Sequence, residues 1–150
     1  MTLVKRKKRP ENYFYKKHHY MNHKKFYIEL GKLLYAIANA DGKIQHKEMV
    51  ALQEVMETEF VPVENESDEF GVNDAFYAEY EFEALEDKHV DVNKAFNSFI
   101  DFMKENKKDF DPELRKACIM AAEKIAFSYH SKNHYEKYFI EKLKRELKKL

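Results

Sequence analysis

Apolar residues recur along most of this chain at intervals of three and four, the spacing that gathers side chains on one face of an α-helix. Phe26, Leu30, Leu33, Leu34 and Ile37 form such a stripe and predict a first helix from Lys24 to Asn39. Ala36, Ala38 and Ala40 allow a neighbouring helix to approach it closely. Gly42 is the natural stop, because glycine takes left-handed backbone without steric cost. Met49, Leu52, Val55, Met56 and Phe60 predict a second helix from Gln45 or His46. Glu48 is placed to cap its start, and Ile44 with Met49 to staple its entry.

Pro62 and the run Glu64-Asn65-Glu66-Ser67-Asp68-Glu69 read as a long loop closed by Gly71. A third helix is expected over residues 73–88, with Phe76, Tyr80 and Ala84 on one side, Tyr77 beside them and an acidic outer face. The fourth, Val92 to Lys107, follows the N-cap Asp91 and carries the clearest stripe: Val92, Phe96, Phe99, Ile100 and Met103. The fifth opens on Asp111-Pro112-Glu113, a cap followed by proline at the first helical position, and would bury Leu114, Ala117, Cys118, Ala121 and Ile125. The sixth starts at Asn133, with Glu136 three residues on and Ile140, Leu143 and Leu147 on its apolar side. Its basic end complements the helix dipole.

Shifting the chain by 88 residues lays the first predicted hairpin on the last. Phe26 falls on Leu114, Leu30 on Cys118, Ile37-Ala38 on Ile125-Ala126, Glu48 on Glu136, Leu52 on Ile140 and Val55 on Leu143. The apolar faces stay in register through both helices, so the pattern describes two related helical hairpins with two further helices between them. The likeness fades at the turn, where Asp41 and Gly42 fall on Tyr129 and His130.

Composition narrows the class. Three Gly and three Pro in 150 residues are too few for the turns of an all-β fold. The expectation is an all-α, single-domain bundle of six to seven helices over residues 24–150, preceded by a flexible basic, aromatic arm at 1–23. The one cysteine, Cys118, permits no internal disulfide, and no apolar run approaches the roughly 20 residues of a membrane span. A cytoplasmic location is expected.

The zero formal net charge hides segregation. Residues 1–25 hold nine Lys/Arg and one acid, Glu11, whereas residues 54–91 hold fourteen acids and one Lys, Lys88. Three readings of the arm stay open. It is a solvated tail, or it touches nucleic acid or an acidic protein surface, or it lies along the chain's own acidic middle segment. No defined RNA- or DNA-binding motif is present, and nucleic acid is not the expected partner. A protein partner is expected, meeting the acidic 54–91 region or the arm; the pattern leaves the oligomeric state open.

Chemistry-bearing residues are sparse. No nucleophile–base arrangement, phosphate-cradling glycine loop or HExxH stands in the chain. Cys118 reads as a small core residue, and the histidines His18, His19, His23, His130 and His134 fall at no secured ligand spacing. The corner Asp41-Gly42-Lys43-Ile44-x-x-x-Glu48 matches the second half of a calcium loop, but Ile37 stands where that loop needs its first carboxylate.

The segment Ala38-Asn39-Ala40-Asp41-Gly42-Lys43-Ile44-Gln45-His46-Lys47-Glu48 resembles the Ala-x-Ala-Asp-Gly-x-Ile-x-x-x-Glu corner of the TerB family, the tellurite-resistance-associated helical domain. It is also similar to the N-terminal domain of DjlA co-chaperones. The resemblance covers residues 24–150, and the 88-residue repeat agrees with the family's duplicated build. This chain departs from the pattern in its second copy, Tyr129-His130, and in its basic arm. The resemblance implies a TerB-like bundle that is not an enzyme, a role in tellurite or stress response through protein contacts, and divalent metal as the one cofactor. Asp41 and Glu48 are the metal-site residues it transfers; the structural alternative is that Asp41 orders the turn and Glu48 caps the helix.

Overall fold

A computed structural model describes residues 21–40, 46–129 and 134–150, without the side chains of His46, Lys47, Tyr129, His134 and Tyr135. Six α-helices lie among them: α1 His23–Ala38, α2 His46–Val55, α3 Tyr77–Lys88, α4 Val92–Glu105, α5 Pro112–Ala126 and α6 His134–Lys148. A π-helical turn at Met56–Phe60 and short 3-10 turns at Val61–Val63 and Asp74–Phe76 join α2 to α3.

The N-caps expected at Asp91 and Asp111 form. The Asp91 carboxylate accepts from the Lys94 amide at 3.0 Å, and the Asp111 carboxylate from the Leu114 amide at 2.9 Å. The corner glycine Gly42, the Ile44–Met49 staple and the Asn133 cap lie outside the described residues. Asn22 caps α1, accepting from the Lys25 amide, so the helix begins one residue before the expected Lys24.

α1 is the centre of the bundle. It packs against α3, α4, α5 and α6, while α2 packs on α5. Its stripe Phe26, Leu30, Leu33, Leu34 and Ile37 is fully buried. So are the repeat partners Leu114, Cys118, Ala121, Ala122 and Ile125 on α5. The two hairpins therefore turn the same faces inward. Phe110 fills the space between them, its ring edge-on to Phe26, Phe99 and Phe102. Buried Glu29 ties α1 to α4: it accepts from the Ser98 hydroxyl at 2.7 Å and from the Lys32 ammonium at 3.1 Å.

One predicted face is corrected. Phe76, Tyr80 and Ala84 do not form the inner side of α3; Ala78, Phe82 and Leu85 do, and Tyr80 is half exposed. The cause is Gly31. A Cβ there would stand 2.5 Å from the Ala78 carbonyl oxygen, so α1 and α3 meet backbone to side-chainless backbone. That contact fixes Ala78 inward and carries Phe82 with it, one helical turn further on. Tyr80 is left outside, edge-on to Tyr77.

Candidate functional site

The acidic run expected as a long loop is tightly built. Asp68 Oδ1 accepts from the amides of Phe70 and Val72 at 2.8 and 2.9 Å, and its Oδ2 accepts from the Tyr77 hydroxyl at 2.7 Å. These bonds hold its carboxyl below the usual carboxylate range, and the same bond pushes the Tyr77 hydroxyl up to about 12. Gly71, at φ 82°, supplies the left-handed step that turns the chain. Asn73 locks the base, donating to the carbonyls of Val61 and Glu64 at 3.2 and 3.3 Å.

Glu64 anchors this loop to α1. Its Oε2 lies 2.6 Å from His23 Nδ1 and accepts from the Glu66 amide, and its Oε1 accepts from the Tyr27 hydroxyl at 2.8 Å. The carboxylate is buried but fully engaged. The loop and the start of α1 enclose a cleft of about 450 Å³, lined by Met21, Asn22, His23 and Lys24 on one side and by Glu66, Ser67, Asp68, Glu69 and Asp74 on the other. Lys24, the one lysine of the lining among the described residues, lies 4.6 Å from the centre of the Tyr77 ring. Asp74 is 6% exposed. Burial and the neighbouring Glu64 raise its carboxyl above the usual range.

The Asp41–Glu48 corner is only half in view. Asp41 lies outside the described residues; Glu48 sits in the first turn of α2 and is 3% exposed. Its repeat partner Glu136, in the first turn of α6, is equally buried. Among the described residues no group of three or more His, Cys, Asp or Glu side chains is placed to hold a metal ion. His23 serves the cleft through Glu64, while His18, His19 and His130 lie outside the described residues. Cys118 is wholly buried, and burial pushes its thiol far above the ordinary range, which leaves no thiolate for nucleophilic chemistry.

A second concavity, of about 860 Å³, lies between α2 and α5, with Val50, Val55, Met120 and Phe127 on its apolar walls and Glu54 and Glu123 at its rim.

The family model described as "Tellurite resistance protein TerB" matches residues 28–148, from α1 to the end of α6. The chain belongs to the TerB family. No curated protein and no solved structure matches it. The acidic loop and both helical hairpins, apart from the first turn of α1 at residues 23–27, fall within the TerB match, whereas the basic arm precedes it. Among the described residues of this TerB domain no helix is long and apolar enough to cross a membrane.

Sequence reasoning missed the His23–Tyr27–Glu64 triad and the burial of Asp74. His23 falls in the expected arm and Glu64 in the expected long loop. Asn22 was the available signal: as an N-cap it starts the helix early enough to put His23 and Tyr27 on one face, four residues apart.

Proposed function

We propose that this TerB-family chain is a non-enzymatic interaction module whose acidic face receives a cationic protein segment. The observation that carries this reading is the cleft, where among the described residues Glu66, Asp68, Glu69 and Asp74 share the lining with one lysine, Lys24. The charged outer side of α3, with Glu83 and Asp87 exposed, extends the same negative field. Such a field speeds and selects encounters with basic partners. The family's link with tellurite resistance supplies the cellular setting we propose, a response to chemical stress.

The test is a titration of the full chain with an oligo-lysine peptide, followed by amide NMR and calorimetry. Signals of residues 64–87 are expected to shift, and Glu66→Gln/Glu69→Gln, both exposed positions, to weaken binding about fivefold to tenfold. Shifts elsewhere on the molecule, or binding unaffected by the double substitution, would sink the reading.

A second reading places a divalent metal at the corner, with Asp41 and Glu48 as oxygen ligands. The burial of Glu48, matched by Glu136 at the duplicated corner, supports it. A carboxylate fits calcium or magnesium there, but the described residues form no group of three or more metal-ligating side chains, so the reading depends on Asp41. Calorimetric titration with calcium, magnesium, manganese and zinc is expected to give a saturable signal that Asp41→Ala abolishes while the helical circular dichroism persists. No heat at millimolar metal removes this reading.

A further inference from the structure

The groove between α2 and α5 lies apart from the acidic cleft, and no described residue lines both. Among the described residues five large apolar side chains are exposed, and two of them, Val50 at 46% and Phe127 at 48%, stand on this groove. Its floor is apolar as well, with Val55 from α2 and Met120 from α5. The hydroxyls of the lining are already spent. Thr58 donates to the Glu54 carbonyl at 2.7 Å, and Ser128 to the Ile125 carbonyl at 2.8 Å. The lining thus offers apolar surface rather than free hydroxyls, which suits the face of a protein better than a small polar molecule.

The charges select the protein. Glu123 is answered within the chain by Lys144 at 3.1 Å. Glu54 is exposed, stands one turn from Val50 and one from Thr58, and has no ion pair among the described residues. Lys124 holds the matching place on the α5 side, one turn after Met120 and one before Phe127. Its own contact, to Glu59 at 3.8 Å, is solvent-exposed and weak. One wall is therefore acidic at its centre and the other basic. We propose that a second copy of this chain covers the groove in an isologous dimer. A two-fold axis along the groove lays α2 of each copy over α5 of the other, so that Glu54 of each meets Lys124 of the other. Val50 and Phe127 then leave water against the apolar floor opposite. A partner of a single charge sign would set a like charge against one of the two walls. The zero formal net charge of the chain removes long-range repulsion between copies.

Sedimentation equilibrium of the full chain, in a series reaching about 1 mM, tests this. The native protein is expected to pass from monomer to dimer within the series. Glu54→Lys and Lys124→Glu, both at exposed positions, are each expected to weaken the dimer about tenfold, because each sets two like-charge pairs in the interface. An equimolar mixture of the two variants restores both pairs and is expected to associate as tightly as the native chain. That recovery separates a lost interface from a folding defect, and Glu54→Lys does not touch the Lys124–Glu59 contact. A native chain that stays monomeric throughout overturns the proposal and leaves the groove to a different protein. Variants that dimerise like the native chain, or a mixture no tighter than its components, overturn it too.

Discussion

Gly31→Val is expected to destabilise the bundle by about 3 kcal/mol or more, a large share of the roughly 5–15 kcal/mol that holds a domain folded. At this position a Cβ would meet the Ala78 carbonyl oxygen at 2.5 Å, Glu81 Cβ at 3.1 Å and Ala78 Cα at 3.2 Å. Two of these atoms are helix backbone and cannot swing aside. Valine adds two methyl groups in the same crevice, so α1 and α3 must part. The separation would also loosen Tyr77 from Asp68, because Tyr77 is the first residue of α3. Gly31→Ala is the sharper control. Helix propensity alone favours alanine by about 1 kcal/mol. The clash is expected to outweigh that gain and leave the variant less stable than the native chain. Urea unfolding followed by circular dichroism measures both. An alanine variant as stable as the native protein would mean that α3 yields, and that the close approach does not set its face.

Glu79→Gln is expected to stabilise the protein at pH 8 by about 1 kcal/mol and to change little at pH 4. Glu79 stands on α3 near Glu57 and Glu83, and its Oε2 is buried without a hydrogen bond among the described residues. Burial first, then the two neighbouring carboxylates, push its carboxyl up from 4.5 to about 7. The folded state thus holds a proton that the unfolded chain releases. The associated stability is fully present below pH 4.5 and is lost as pH rises through about 7. The figure is kept well below the full shift because solvent reaches part of the side chain. Melting temperatures of both proteins between pH 4 and 9 test this. Identical pH slopes would show that Glu79 is not the group that titrates.

Legibility in the sequence followed the range of the interaction. The stripes of α1, α4, α5 and α6 were readable because each is a periodic pattern within one helix, and every residue named on the α5 stripe is buried. Asp91 and Asp111 were readable as caps because the amides they serve lie three residues on. The stripe of α3 misled. Its large aromatics Phe76 and Tyr80 suggested an inner face, yet small Ala78 holds that place because Gly31 opposite leaves room only for backbone. Hydrophobic size identifies a core face only where the neighbouring helix leaves space for it.

The acidic loop shows the same division. Its sequence reads as a long loop, and Glu66 and Glu69 are exposed as loop residues usually are. Glu64 is buried within the same run, and Asp74, three residues past Gly71, is buried beside it. Glu64 is buried because His23 and Tyr27, 41 and 37 residues away in sequence, receive its two oxygens. No local period encodes such partners.

The sequence by itself determined the all-α class, the helix starts at Val92 and Pro112, the register of the two related hairpins, and the segregation of charge between arm and middle segment. These follow from contacts between residues a few positions apart, which spacing and residue type dictate. Only the tertiary structure decided which face of α3 turns inward, that Glu64 is clasped by the start of α1, and that Asp74 joins the wall of the cleft. Those outcomes depend on how closely two helix surfaces approach and which distant side chains they bring together. The missing Cβ of Gly31 settles the approach, and α3, α4, α5 and α6 packed against α1 settle the partners.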